Sequence, residues 1–165
     1  MTHPADLSGD DLLAVCDVGR TRRSGPGGQH RNKVETAIVL THRPTGLTAE
    51  AGERRSSVEN RRAALGRLRL RLALEVRTVR SRTSARWSGR VRDGRLAINP
   101  SHDDYPALVA EALDVLAVHA WEAPAAAAQL GVSSSQLVRL LGHEPRALVR
   151  VNEERAALGR PPLRT

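Results

Sequence analysis

Residues 22–33 read RRSGPGGQHRNK. Nothing in this stretch can pack a core, but its residue types carry two kinds of chemistry. Gly27 and Gly28 lack a Cβ, so the backbone there reaches positive φ at little steric cost and can approach a ligand closely. Arg22, Arg23, His30, Arg31 and Lys33 can meet phosphate oxygens, each contact adding salt-dependent affinity. Asn32, beside the turn, can hold the base of the loop through backbone bonds. Taken alone, a glycine–proline cluster reads most simply as a surface linker. Elsewhere the reactive residue types are dispersed. The six histidines are scattered and Cys16 is the single cysteine. No Cys/His set has ligand spacing, so neither a metal ion nor a cofactor is expected, and no internal disulfide.

The charge around that stretch is uneven. The chain of 165 residues carries a net +8. Residues 1–19 hold 4 acids and no Lys or Arg. Between Arg20 and Arg95 lie 20 basic and 6 acidic residues, a local +14, and residues 96–165 balance at −2. Lys33 is the only lysine, which fits a compositional bias toward arginine. Bias explains the residue type and not the clustering; a block this basic points to a polyanion, nucleic acid first. No run of eighteen apolar residues is present, so no membrane span is expected. Asp6, Asp10, Asp11 and Asp17 at the start argue against a secretory or organelle presequence. One cysteine fits a reducing compartment, and the expected location is the cytoplasm.

The elements that must position the loop can be read from hydropathy periods. Residues 9–16 suit a short helix with acids in its first turn, where the helix dipole favours them. Val34, Thr36, Ile38 and Leu40 alternate with Glu35, Ala37, Val39 and Thr41, Pro44-Thr45-Gly46 is turn chemistry, and Leu47–Glu50 returns as a second strand. Ser56 and Glu59 fit a capping box at the start of a long helix. Its apolar stripe is expected at Val58, Leu65, Leu68, Leu72 and Val76, laid on the hairpin, with several of Arg61, Arg62, Arg67, Arg69 and Arg71 left for a partner. Asp93-Gly94 marks a second hairpin. Beyond Pro100 the composition turns helical: an amphipathic helix from Tyr105, a pair hinged at Gly131 with a Ser-capped second member, and a last one opened by Pro145 and stopped by Gly159.

These residues resemble the catalytic domain of class I peptide chain release factors. The stretch RRSGPGGQHRNKVETAIVLTHRPTGLTAE resembles that family's Gly-Gly-Gln loop and following strands, and ERRSSVENRRAALGRLRLRLA its arginine–serine helix start and helix. A Gly-Gly-Gln triplet alone is weak. Here it has Ser-Gly before it, His-x-Asn-Lys after it, a Pro-Thr-Gly turn and the helix in order. The resemblance implies that Gly27, Gly28 and Gln29 form the motif that enters the peptidyl transferase centre of the large ribosomal subunit. There the family helps water cleave the ester of peptidyl-tRNA. In the family the backbone amide of the glutamine is thought to stabilise the developing charge, and its side chain to restrict the nucleophile to water. Loss of one such donor costs on the order of 3 kcal/mol. Arg22, Arg23, His30, Arg31, Asn32 and Lys33, with Arg54, Arg55, Arg61 and Arg62 at the helix start, would contact ribosomal RNA. A methyltransferase acting on Gln29 is a further implied partner. Two positions depart from the family pattern: Arg31 stands where a small apolar residue is usual, and Ser57 where Gln is frequent.

A codon-reading release factor needs a larger domain before the loop, and the roughly twenty residues here are too few to fold as one. The expectation is therefore a monomeric enzyme that hydrolyses peptidyl-tRNA independently of the codon, in termination or rescue of stalled ribosomes. The fold expected is α+β: a small antiparallel sheet with a long helix over residues 1–98, then a small all-helical module over 99–165. The alternative is a non-catalytic RNA- or DNA-binding module. In it the basic block acts with a helix-turn-helix-like tail around Gly131, whose second helix has only Arg139 as a cation. Trp87 and Trp121 suit base stacking or, more commonly, packing.

Overall fold

The computed structural model describes residues 2–21 and 36–165. Among these the chain is α+β, and its contacts separate two compact units: Pro4–Leu72, and Ala73–Thr165 together with the first three residues. This contact boundary falls at Leu72/Ala73, inside the long helix.

In the first unit a turn of 3-10 helix at Pro4–Asp6 precedes α1, Gly9–Ala14. Ser8 caps α1, its hydroxyl accepting the Asp11 N–H at 3.1 Å. Strand β1 (Cys16–Thr21) pairs antiparallel with β2 (Ala37–His42), and β2 with β3 (Thr48–Ala51), in the order β1-β2-β3. The predicted hairpin is thus present over its described residues, and β1 is an additional strand. β1 escapes the hydropathy pattern because only Cys16 is buried and its next five residues are exposed on both faces. The β2–β3 turn closes at Gly46, φ 71°, a left-handed value that glycine adopts without strain.

Helix α2 spans Ser57–Glu75, and Ser56 Oγ accepts the Glu59 N–H at 3.4 Å, one half of the expected capping box. Its buried row differs from the expected stripe. Asn60, Ala64, Leu68 and Leu72 are each fully buried, whereas Val58 is 75% exposed. The steps of four explain this: they put 60, 64, 68 and 72 on one face, and 58, two residues from 60, lies about 200° around the helix. Three arginines expected at the surface are tied down. Arg67 donates to the Glu50 carbonyl at 2.7 Å and to Glu53, Arg71 donates to the Thr48 carbonyl at 2.8 Å, and Arg69 donates to the Leu7 carbonyl. The Arg67 guanidinium pulls the Glu53 carboxyl down to about 2.

In the second unit α4 (Tyr105–Val118) is buried on every side from Tyr105 to Leu116, the pattern of a central helix. Around it lie α5 (Ala123–Leu130), α6 (Ser134–Gly142) and α7 (Pro145–Ala157). Gly131 (φ 66°) ends α5, Ser133 caps α6 through the Gln136 N–H, and Gly159 (φ 69°) follows α7, all as the sequence indicates. Two acids inside α4 organise the segment before it. Asp114 accepts from Arg77 Nη1, the Thr78 N–H and hydroxyl, and Arg80 Nε; Glu111 accepts the Ser84 N–H and hydroxyl. Short α3 (Ala85–Ser88) then buries Trp87, whose Nε1–H donates to the Leu130 carbonyl at 2.8 Å. Trp121 is buried too, so both tryptophans pack. β4 (Val91–Arg92) and β5 (Arg95–Leu96) form the second hairpin, turned by Asp93 and Gly94 at φ 49° and 71°. Burial pushes the Arg77 guanidinium down to about 10 despite Asp114 beside it.

Candidate nucleic-acid interface and loop root

The segment 22–35 joins two neighbouring antiparallel strands. Thr21, the last residue of β1, is the ladder partner of Ala37, the first of β2. Gly27, Gly28 and Gln29, with Arg22, Arg23, His30, Arg31, Asn32 and Lys33, lie outside the described residues. Their attachment points are described, and they are held firmly. Thr21 sits opposite Ala37 in a six-pair ladder. The Thr36 carbonyl accepts from Asn60 Nδ2 at 2.7 Å.

Asn60 escaped the sequence reading because a polar residue breaks an apolar stripe. Its position at the head of the 60–64–68–72 row was the available signal. Fully buried, its side chain makes three bonds: Nδ2 donates to the Thr36 and Arg54 carbonyls at 2.7 and 3.0 Å, and Oδ1 accepts the Arg54 N–H at 2.9 Å. Both polar backbone groups of Arg54 are therefore fixed by one amide. A buried amide with all its strong bonds made fixes its surroundings and leaves no orphaned group.

Arg54 and Arg55 stand just before α2, Arg61 and Arg62 in its first turns, and all four side chains are exposed. Arg20 is exposed on β1, one residue before Thr21. This cationic group at the helix start is compatible with phosphate contact. Several other arginines of the basic block are differently employed. Arg43 donates to the Ala14 and Cys16 carbonyls at 2.7 and 2.9 Å and lies 3.2 Å from Asp17. Arg77 and Arg80 meet Asp114; Arg86 and Arg90 meet Asp104 at 3.1 and 2.5 Å.

Helices α5 and α6 are joined through Gly131, the left-handed residue that ends α5. On α6, Leu137, Val138, Leu140 and Leu141 are buried, and the one cation, Arg139, donates to Gln136 at 3.1 Å. Arg146 and Arg150 of α7 pair with Glu144 and Glu154 at 2.6 and 2.8 Å. Among the described residues no His/Cys/Asp/Glu cluster has a metal-binding arrangement, and no helix is long and apolar enough to cross a membrane.

A sheet whose two neighbouring strands carry a Gly-Gly-Gln segment, backed by a helix with a basic start, defines a class of translation-factor domain. The model of the RF-1 domain matches residues 15–98, and the chain belongs to that family. It is similar to the chloroplastic peptide chain release factor PrfB1 of Arabidopsis thaliana, 38% identical over 86 residues, covering 47% of this chain and 19% of that protein. Peptide chain release factor 2 of Staphylococcus saprophyticus is 43% identical over 67 residues, covering 41% and 17%. The same factor of Staphylococcus haemolyticus is 42% identical over 67 residues. The matched segment thus spans less than a fifth of the length of these relatives.

Proposed function

We propose that the chain acts on the ribosome, hydrolysing the ester of peptidyl-tRNA with Gly27, Gly28 and Gln29 at the large-subunit peptidyl transferase centre. The observation that supports this most directly is the family match over residues 15–98, which contains the complete Ser-Gly-Pro-Gly-Gly-Gln-His sequence. Chemically, two residues without Cβ let the following amide approach a crowded reacting centre. An N–H aimed at the oxygen that gains charge lowers the barrier without a protein base. Exposed Arg54, Arg55, Arg61 and Arg62 would hold RNA phosphates, with Arg22, Arg23, His30, Arg31 and Lys33 flanking the motif. Gln29 is also where a methyltransferase would act.

For these residues we take the reaction as codon-independent. Stalled ribosomes are then the natural substrate. The experiment is peptide release from purified ribosomal complexes with the A-site codon varied. Release is expected whatever the codon; dependence on a stop codon would overturn the codon-independent reading. Gly28→Ala and Gln29→Ala are expected to lower release by on the order of 10²–10³-fold while ribosome binding survives. Undiminished release by Gly28→Ala would remove the motif from the mechanism.

A further inference from the structure

We propose that Asn60 is a positioning residue for the loop: one buried amide sets the C-terminal root of segment 22–35 in fixed register with the basic start of α2. The proposal rests on the hydrolytic reading above for its functional consequence, though not for its geometry. Thr36 is the first described residue after the segment, and its carbonyl has Asn60 Nδ2 at 2.7 Å. The same side chain takes both backbone groups of Arg54, at 2.9 and 3.0 Å. Arg54 belongs to no helix or strand, so its conformation depends on this bracket. On the other side of the root, Thr21 is held by the ladder to Ala37. The ladder fixes the two strands relative to each other. Asn60 supplies what the ladder lacks, a bond from the root to the helix whose exposed arginines face the partner.

A side chain needed only to fill space would not show this pattern. Asn60 heads a row otherwise made of Ala64, Leu68 and Leu72, where a leucine would bury more apolar area and bring no polar group of its own to satisfy. The amide has the required shape: two donors for two carbonyls and one acceptor for one N–H. Asp at this position would keep the volume and the acceptor and lose both donors. Displacement of a catalytic group by about 1 Å can cost about 10²-fold in rate. The loop root is where such a displacement would begin.

The test has two arms on the full chain. In the first, peptide release is measured with Asn60→Ala and Asn60→Asp at temperatures where circular dichroism shows each folded. The maximal rate should fall about 10–100-fold in both, with the half-saturating concentration changed by less than about threefold. Leu68→Val, lower in the same buried row, should leave the maximal rate intact. An Asn60→Asp protein with wild-type maximal rate would overturn the proposal, since volume alone would then suffice. In the second arm, amide hydrogen exchange is followed without reference to activity. In the wild-type chain the Arg54 amide should exchange slowly. In Asn60→Ala the Arg54 and Ala37 amides should exchange faster; in Asn60→Asp, which keeps the acceptor for the Arg54 N–H, only the Ala37 amide should, while those of Leu68 and Leu72 keep their protection in both. A fast Arg54 amide in the wild type would overturn the proposal even if every variant failed to fold, and so would a uniform rise across the unit in a variant. If the wild-type chain releases no peptide from any complex, the hydrolytic reading fails and the exchange arm alone decides whether Asn60 sets the root.

Discussion

The exposed arginines around the start of α2 can be measured by their salt response. Arg54, Arg55 and Arg61 are exposed around the start of α2, and their side chains make no hydrogen bond or ion pair with the other described residues. Their replacement by Gln together, as Arg54→Gln, Arg55→Gln and Arg61→Gln, removes three charges and breaks no described side-chain bond. Stability should therefore stay within about 0.5 kcal/mol per site. If each arginine neutralises one RNA phosphate, each contributes about 0.7–0.9 to the slope of log affinity against log salt. The triple variant should then lose a slope of about 2–3. Between 50 and 200 mM salt, roughly 0.6 log units, the wild-type affinity for ribosomes should fall about 20–40-fold more than that of the variant. The assay is equilibrium binding to purified ribosomes by sedimentation or fluorescence anisotropy across that range. A matched control removes the same charge from the helical unit: Arg139→Gln, Arg146→Gln and Arg150→Gln. Those arginines are already engaged by Gln136, Glu144 and Glu154. Their slope should match the wild type. Equal slopes for the α2 triple and the wild type would refute the interface. Equal losses in both triples would show that net charge, not placement, governs binding.

Two further outcomes follow from the buried groups. Asp114→Ala strips Arg77, Thr78 and Arg80 of a common acceptor and removes the buried carboxylate that balances two guanidiniums, which should cost about 3–5 kcal/mol. Differential scanning calorimetry should register a fall of roughly 12 °C or more for a unit of this size, and a fall under about 3 °C would contradict the role assigned to Asp114. Burial lowers the pKa of His3 and of His42, so each resists protonation when folded and accepts it more readily when unfolded. Their stabilising contribution is complete above the model-peptide value of 6.5 and is lost as pH falls below it, through the lowered folded values. The His3 Nε2–H donates to the Val76 carbonyl at 3.0 Å, which fixes the neutral tautomer. Urea unfolding should show stability declining from pH 7 to pH 5, and His3→Gln should flatten part of that decline.

Regular elements were legible where local chemistry specified them. The Ser cap of α6 at Ser133, Gly46 and Gly131 at turns, and Asp93-Gly94 between alternating residues each carry their own signal, and each stands where it pointed. Strand β1 was not legible, because five of its six residues are exposed and its pairing partners lie 16 to 26 residues further on. The face of α2 was misjudged for the opposite reason. Val58 is apolar and exposed, Asn60 is polar and buried, and hydropathy alone assigns both to the wrong side. What distinguishes Asn60 is its bonds to the Arg54 backbone six residues away and to the Thr36 carbonyl 24 residues away, which hydropathy does not encode. The family was legible through the ordered resemblance around the loop, and the arginines only as a group. Their division into paired and unpaired members depends on acids far away in sequence, such as Asp114 for Arg77.

That division bears on how the chain can be dissected. The family match runs to residue 98, but the contacts place 73–98 with the helices of the second unit. Residues 77–84 hang on Asp114 and Glu111, and Trp87 is buried with its Nε1–H on the Leu130 carbonyl. A chain cut after Asn99 would strip Arg77 and Arg80 of their acid and expose the indole, so it would unfold this segment instead of isolating a catalytic domain. Loss of release in such a truncation would then say nothing about the chemistry of α4–α7. Asp114→Ala in the full chain separates the two questions, because it weakens the unit while leaving every residue of the loop and of α2's basic start in place. Release that survives this variant at a temperature where it is folded would assign the chemistry to residues 4–72, and loss of release from the folded variant would show that the second unit contributes to it.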